Sequence, residues 1–277
     1  MKIAYLGPKN SFSFQAASQL GEENEFIPYP SIPMCLQALK SDALDYALVP
    51  IENSLEGSVH ATVDQFFQTT GLVVLGEIIL PIRQQLLVNP GTTLPGKILS
   101  HPQALAQSQQ FLESHFPEVP MEAVSSTTFA AEWVANHPDK KYAAIASEEA
   151  AKEYSLEILG KDIQDNAYNQ TRFWIVGNEK QQTFDFLGPT TKMTLFVTLP
   201  ANLPGALHKV LSTFAWRNID LTKVESRPLK TNLGEYFFII ELTVDENEAL
   251  IEQAVKEMES LKIGVRLIGH YPIKVCS

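Results

Sequence analysis

Cysteine is nearly missing from these 277 residues: there are two, Cys35 and Cys276. Two thiols so far apart build neither a disulfide framework nor a thiolate metal cluster. Cys35 falls in a helix-like apolar pattern and reads as a small core residue. Positive charge is also short. Against 32 Asp and Glu stand 21 Lys and Arg, a formal net charge of −11. That excludes the basic stripe that nucleic-acid binding needs and argues against docking on an anionic membrane. No apolar run is long enough to span a bilayer, since 72–80 is interrupted by Glu77. The apolar run after Met1 is too short for a signal peptide, so the expected location is cytoplasmic. The sequon Asn169-Gln170-Thr171 is then an accident. Internal repeats, low-complexity tracts and a phosphate-binding glycine loop are lacking too.

What is present is globular: 45% hydrophobic and 19% charged residues. The length suits one large domain or, more naturally, two. Over the first two-thirds, β-rich runs alternate with helical patterns. Strands are expected at 3–7, 46–51, 72–80, 84–89, 97–101, 122–125, 142–147 and 173–177. Helix faces are marked by Val59, Val63, Phe66 and Phe67, by Leu105, Ser108, Phe111, Leu112 and Phe116, and by Phe129, Trp133 and Val134. This alternation favours mostly parallel sheets with covering helices. The long β-rich passage 72–89, broken at Pro81, suits a crossing between two α/β lobes around a cleft, with 166–177 returning to the first lobe.

A polar, punctuated stretch follows, and residues 181–191 read as a linker between a domain at 1–180 and one at 192–277. The apolar pattern of the second domain gives strand 193–199, helix 206–216, strands 221–225 and 236–243, helix 246–261 and strand 265–268. This βαββαβ order in about 80 residues is a ferredoxin-like α+β unit.

Three polar runs sit where strands meet loops or helices. Asn169-Gln170-Thr171-Arg172-Phe173-Trp174 delivers a hydroxyl and a guanidinium to the mouth of an apolar strand, where ligands meet open α/β sheets. Neighbouring strand residues point to opposite faces, so both act on one ligand only if the backbone turns there. Val49-Pro50-Ile51-Glu52-Asn53-Ser54-Leu55-Glu56-Gly57-Ser58 follows a strand and leads to an expected helix start at Gly57-Ser58. Asn53, Ser54 and Ser58 either bind a ligand or serve as turn and cap residues. His101-Pro102-Gln103-Ala104-Leu105-Ala106-Gln107 joins a strand to a helix, with Pro102 suited to the first turn and Gln103 offering donor and acceptor. Ser126-Thr127-Thr128 either caps the helix ahead of Phe129 or binds a carboxylate.

Together the runs at 169–174, 49–58 and 101–107 resemble prephenate dehydratase, the lyase that turns prephenate into phenylpyruvate in phenylalanine biosynthesis. Pro204-Gly205-Ala206-Leu207 and Glu225-Ser226-Arg227-Pro228 resemble the ACT domain, a small-molecule sensor of amino-acid enzymes. Gly7-Pro8-Lys9-Asn10-Ser11-Phe12-Ser13 resembles a family segment but has Asn10 for glycine and Ser11 for threonine, with Phe14 where a polar residue is common. The resemblance implies a two-lobed α/β catalytic domain of periplasmic-binding-protein type, followed by the ferredoxin-like ACT domain.

It also implies that prephenate is the substrate and L-phenylalanine the effector, in a homodimer or homotetramer, with no metal and no cofactor. Loss of carbon dioxide and water makes the ring aromatic, so the driving force lies in the substrate. Thr171 is expected to donate to the departing hydroxyl. Glu52, as a buried carboxylic acid, and Asn53 complete the expected catalytic set. Substrate binding is expected from Phe173, Gln103, Ser54, Ser11, Ser126 and Thr127, and from Arg172, which otherwise anchors the loop through an internal acid. Arg83, Arg172 and helix N-termini are the sources of positive potential for a dianion in an acidic protein. Effector binding falls to Gly205, Ala206, Leu207, Glu225, Ser226 and Arg227. Two other readings stay open: a non-catalytic amino-acid or carboxylate-binding protein on the same cleft, and a lyase of the same fold for a related cyclohexadienyl acid.

Overall fold

The structure, a computed structural model, describes residues 1–276 apart from 41–43, 182–183, 185–187, 190, 201–203, 230–234 and 245–247. Much of the expected linker therefore lies outside the described residues, as do the first two positions of the expected helix 246–261. In chain order come β1 (Lys2–Leu6), α1 (Phe12–Ser18), β2 (Glu25–Tyr29), α2 (Ile32–Ala38), β3 (Tyr46–Asn53), β4 (Gly57–Ser58) and α3 (His60–Gln68). Next are β5 (Leu72–Pro81), β6 (Gln85–Val88), β7 (Ile98–Ser100), α4 (Pro102–Ala106), α5 (Gln109–His115), β8 (Met121–Ala123) and α6 (Thr127–Asn136). Then follow β9 (Ala143–Ala146), α7 (Glu148–Glu153), β10 (Glu157–Gly160) and β11 (Gln170–Asn178). The last are β12 (Thr191–Thr198), α8 (Ala206–Ala215), β13 (Leu221–Pro228), β14 (Tyr236–Val244), α9 (Glu248–Ser260) and β15 (Gly264–Val275). Serine side chains cap four of the described helices. Ser11, Ser31, Ser126 and Ser147 each accept the N–H three residues on, which satisfies one donor the helix cannot.

Contacts group the chain into two compact units. One holds Met1–Val59 and Ile79–Phe173, with Cys276. Its first sheet runs β11-β3-β1-β2, with β1 parallel to both β2 and β3. Its second runs β10-β6-β9-β7-β8. The expectation of mostly parallel pairing fails in this second sheet, where β6 runs against both β10 and β9. The reason is connectivity: each later strand follows a helix, whereas β6 joins β7 without one, and parallel neighbours need a crossover.

Other differences are local. The apolar face from Leu105 to Phe116 is cut into α4 and α5, since the chain leaves helical geometry at Ser108. Phe129 is 43% exposed, because α6 buries Thr128, Ala130, Ala131 and Val134 instead. Gly57-Ser58 pairs with Glu52 and Asn53 as β4, and α3 begins only at His60.

The other unit holds His60–Ile78 and Trp174–Val275. Its strands run β13-β14-β12-β15, with β12 antiparallel to β14 and β15. With α8 and α9 this is the expected βαββαβ order. Its core joins Leu195, Val197, Val210, Phe214, Ile240, Leu242, Ile251 and Met258. In the same unit α3 is held at several points. Arg266 donates to the carbonyls of Phe66 and Phe67 at 3.1 and 3.0 Å, where a cation complements the helix C-terminus. Phe67 stacks on Phe237 at 3.8 Å. Lys192 is buried between the carboxylates of Glu77 and Glu241, at 2.9 and 3.5 Å. Among the described residues no helix is long and apolar enough to cross a membrane.

Candidate active site

Thr171 is the second residue of β11, and Asn53 ends the neighbouring β3. Strand alternation sorts their neighbours. Asn53, Thr171 and Phe173 line a cavity of about 300 Å³, while Glu52 and Arg172 meet each other, Oε2 to guanidinium nitrogen, at 2.5 Å. No backbone turn brings Thr171 and Arg172 to one side. The wall also includes Phe12, Ser13, Pro50, Ile82, Gln84, His101, Gln103, Ala104, Gln107 and Ser125–Thr127. It contains no lysine, arginine, aspartate or glutamate. Arg83 is engaged with Asp162 at 3.2 Å and likewise lies off the wall.

Asn53 organises the cavity's edge. Its side-chain amide donates to Asn169 Oδ1 and Thr171 Oγ1, both at 2.9 Å, and to the carbonyl of Gln170 at 3.1 Å. Its oxygen accepts from the N–H groups of Leu55 and Glu56, a side-chain mimic of a turn. The turn reading of Asn53 is seen in its oxygen, while its nitrogen addresses Thr171. Because Thr171 Oγ1 already accepts from Asn53, its own hydrogen is left to donate into the cavity. Asn169 is fully buried and donates to Gln107 Oε1 at 2.9 Å. That leaves Gln107 Nε2 buried with no partner, and Gln84 Oε1 is in the same condition.

Among the expected binding residues, Gln103, Ser126, Thr127 and Phe173 are on the wall. Ser126 also caps α6 through its oxygen, so the cap and the site coincide. His101 Nδ1 accepts the N–H of Gln103 at 3.3 Å, which caps α4 and requires that nitrogen to be unprotonated. Ser54 and Ser11 are not on the wall. Ser54 stitches the loop to Tyr168 and Gln170, and Ser11 caps α1 while donating to Leu6. Asn10 takes φ 63°, so the turn needing a left-handed residue survives without glycine. Residue-type reasoning passed over Gln107, Asn169 and Gln84. The first two stood inside the quoted runs, and their spacing gave no sign of the partnership across the fold.

The profile described as prephenate dehydratase matches residues 3–181, and that described as ACT domain matches 193–260. The chain belongs to the prephenate dehydratase family. It is 48% identical over 274 residues to the prephenate dehydratase of Lactococcus lactis subsp. lactis, covering 99% of this chain and 98% of that one. To the Bacillus subtilis prephenate dehydratase it is 44% identical over 280 residues, covering 98% of each. Among solved structures, the Arthrobacter aurescens prephenate dehydratase in complex with L-Phe superimposes with a TM-score of 0.87 at 31% identity. That match covers 98% of this chain and 90% of the other. Prephenate dehydratases are lyases, and an ACT domain follows the region that matches them.

In the ACT region Gly205 precedes α8 in a left-handed conformation, φ 69°, with Ala206 buried behind it. Glu225 and Arg227 share the inner face of β13, and Ser226 is exposed on the other. Arg227 forks onto Asp64 of α3 through three contacts of 3.0–3.2 Å, and Glu225 lies 3.7 Å from His60.

Proposed function

We propose that this chain converts prephenate to phenylpyruvate in the cavity beside Thr171, under feedback by phenylalanine. The observation that carries the reading is the Asn53–Thr171 bond. It leaves the threonine hydroxyl as a donor facing a cavity with no charged wall.

In the reaction the ring carboxylate leaves as carbon dioxide, and its bonding pair enters the ring. The bond to the ring hydroxyl breaks, and that oxygen departs with its hydrogen and takes up a proton to become water. Thr171 donates to this oxygen as negative charge develops on it, and a bond that strengthens there lowers the barrier. Threonine is too weak an acid to give up its proton at neutral pH, so water supplies it.

The missing cation also fits. An arginine gripping the carboxylate that must leave would stabilise the ground state and slow its loss. The apolar side chains of Ile82, Phe12 and Phe173 avoid this. The other carboxylate suits the first N–H groups of α6 with Ser126 and Thr127, helped by Gln103. Glu52 and Arg172 act one step back, holding β3 against β11 as an ion pair.

Residues 1–180 form the catalytic domain in this reading, 181–191 the connection, and 192–277 the regulatory domain of a cytoplasmic homodimer or homotetramer. Strand β13 ends its sheet among the described strands, and an edge with exposed alternate residues favours a second copy. Phenylalanine binds by Gly205–Leu207 and Glu225–Arg227. Helix α3 carries the response, because Arg227 and Glu225 hold its Asp64 and His60, and its chain continues directly from β4 and Asn53. Effector and substrate must then weaken each other's binding by the same factor.

Purified protein mixed with prephenate, followed by phenylpyruvate absorbance, tests the reaction. Thr171→Ala should lower kcat by about 10²–10³-fold with little change in KM, and a variant near wild-type kcat would remove Thr171 from the mechanism. For regulation, Asp64→Asn should still bind phenylalanine by calorimetry but show a weaker kinetic response. Wild-type protein with neither calorimetric binding nor inhibition ends the regulatory reading.

A further inference from the structure

His101 follows β7 and stands on the cavity wall with Gln103 and Ala104. Its ring has two nitrogens, and the protein uses one. Nδ1 accepts the N–H of Gln103 at 3.3 Å and so caps α4. A ring nitrogen that accepts carries no hydrogen, so the imidazole is neutral and its one N–H is at Nε2. Among the described residues no group bonds to Nε2, and that atom is not one of the buried polar atoms left without a partner. It is therefore open to the space that the ring borders. The backbone cap makes this histidine an uncharged donor with its tautomer fixed.

Strand pairing gives its place in the site. β7 and β8 are parallel with Ser100 opposite Ala123, and the N–H of Val124 donates to the Ser100 carbonyl at 2.8 Å. Both segments thus leave the second sheet at one edge, His101 after β7 and Ser125, Ser126 and Thr127 after β8. In the proposed reaction Ser126, Thr127 and the first N–H groups of α6 hold the carboxylate of the substrate's side chain. Thr171 and Asn53 reach the cavity from the first sheet. The donor of His101 belongs to the carboxylate end.

We propose that His101 Nε2–H donates to the 2-oxo-carboxylate group at the end of the substrate's side chain. The inference rests on the dehydratase reading and adds a recognition residue to it. A neutral donor suits a dianion of which one carboxylate must leave. A cation would attract both carboxylates through the cavity, whereas a hydrogen bond acts only on the oxygen it touches. The side chain of prephenate is unchanged when the ring becomes aromatic, so this bond is as strong in the ground state as in the transition state. It supports binding and leaves the barrier alone.

The test uses full-length protein with prephenate as the probe, and two substitutions that separate the ring's two nitrogens. His101→Asn keeps an acceptor in the place of Nδ1, where asparagine is a favoured cap, and has nothing at Nε2. Its KM should rise about tenfold for one lost hydrogen bond to a charged group, with kcat within about threefold of wild type and Tm unchanged. His101→Gln brings an amide nitrogen near the place of Nε2 but is a poor cap. Its KM should lie closer to wild type while its Tm falls. The proposal is overturned by an Asn variant with wild-type KM, by one whose loss lies in kcat, or by one whose Tm falls in step with activity. A Gln variant that binds no better than the Asn variant overturns it too. An inactive wild type would instead sink the dehydratase reading, and is seen before any variant is compared.

Discussion

Replacing Asn53 by alanine should damage stability and catalysis through the same hydrogen bonds, and the two losses can be separated. The amide of Asn53 donates to Asn169 Oδ1, Gln170 O and Thr171 Oγ1. Alanine orphans Asn169 Oδ1 in a buried setting, at about 1–3 kcal/mol for an unsatisfied group, while the Gln170 carbonyl keeps the N–H of Ser54 at 2.9 Å. Alanine also removes the oxygen that accepts the N–H groups of Leu55 and Glu56, so about 2–4 kcal/mol is the expected total. In a protein of this size that lowers Tm by roughly 5–12 °C. The catalytic effect has a different origin. Without the incoming amide, nothing fixes the rotation of the Thr171 hydroxyl, and its hydrogen is no longer held toward the cavity. The kcat of Asn53→Ala should fall about 10–100-fold, or roughly 1.4–2.7 kcal/mol of transition-state stabilisation. Thr171→Ala should lose more, roughly 10²–10³-fold. Turnover of prephenate by wild type, both single variants and the double variant, at a temperature where all are folded, closes a cycle. If Asn53 acts through Thr171, the double variant is no slower than Thr171→Ala to within about threefold. Additive losses would refute the orienting role and give Asn53 an independent contact with substrate.

Arg172→Met should cost stability, about 1–2 kcal/mol for this half-buried pair. Glu52→Gln in the same chain should recover part of it, with kcat within a few-fold of wild type. A large rise in KM at unchanged Tm would make Arg172 a substrate clamp instead. Lys192→Met withdraws the lysine from between Glu77 and Glu241 and should destabilise the protein by about 3–5 kcal/mol, read by denaturant unfolding; a loss below about 1 kcal/mol would show that the two carboxylates do not depend on the lysine. Burial pushes the Cys35 thiol up to about 12, so at pH 8 a thiol reagent should label Cys276 alone, and Cys35 only on unfolding. The folded state then holds a proton that the unfolded thiol, with an ordinary value of 9.0, releases, so this shift favours unfolding as pH climbs from 9.0 toward about 12. Rapid labelling of both thiols in folded protein would contradict the burial.

Long, strongly periodic elements were legible in the sequence. The strands at Tyr46, Leu72 and Met193 are apolar enough to read directly, and the βαββαβ order follows from alternation alone. Short elements were not. Strand β2 carries Pro28 and polar residues at a sheet edge, and the seven-residue helices α1 and α2 have too few turns to show a full period. For α1 and α7 the legible sign was the serine cap, at Ser11 and Ser147.

At the site, the sequence by itself determined which chemistry was on offer: a hydroxyl, amides and a guanidinium at strand mouths, with little positive charge elsewhere. Local pattern also required that Thr171 and Arg172 face apart, because a strand has period two. Only the tertiary structure decided which of the two faces the cavity, since that depends on where β3 and the second sheet lie relative to β11. It spent Arg172 on Glu52, 120 positions away in the chain, and turned Thr171 into a donor through Asn53, 118 positions away. It also left Gln84 and Gln107 each with one unanswered amide atom. Contacts of that separation are fixed by packing and by the need to satisfy buried polar groups, which no local pattern encodes.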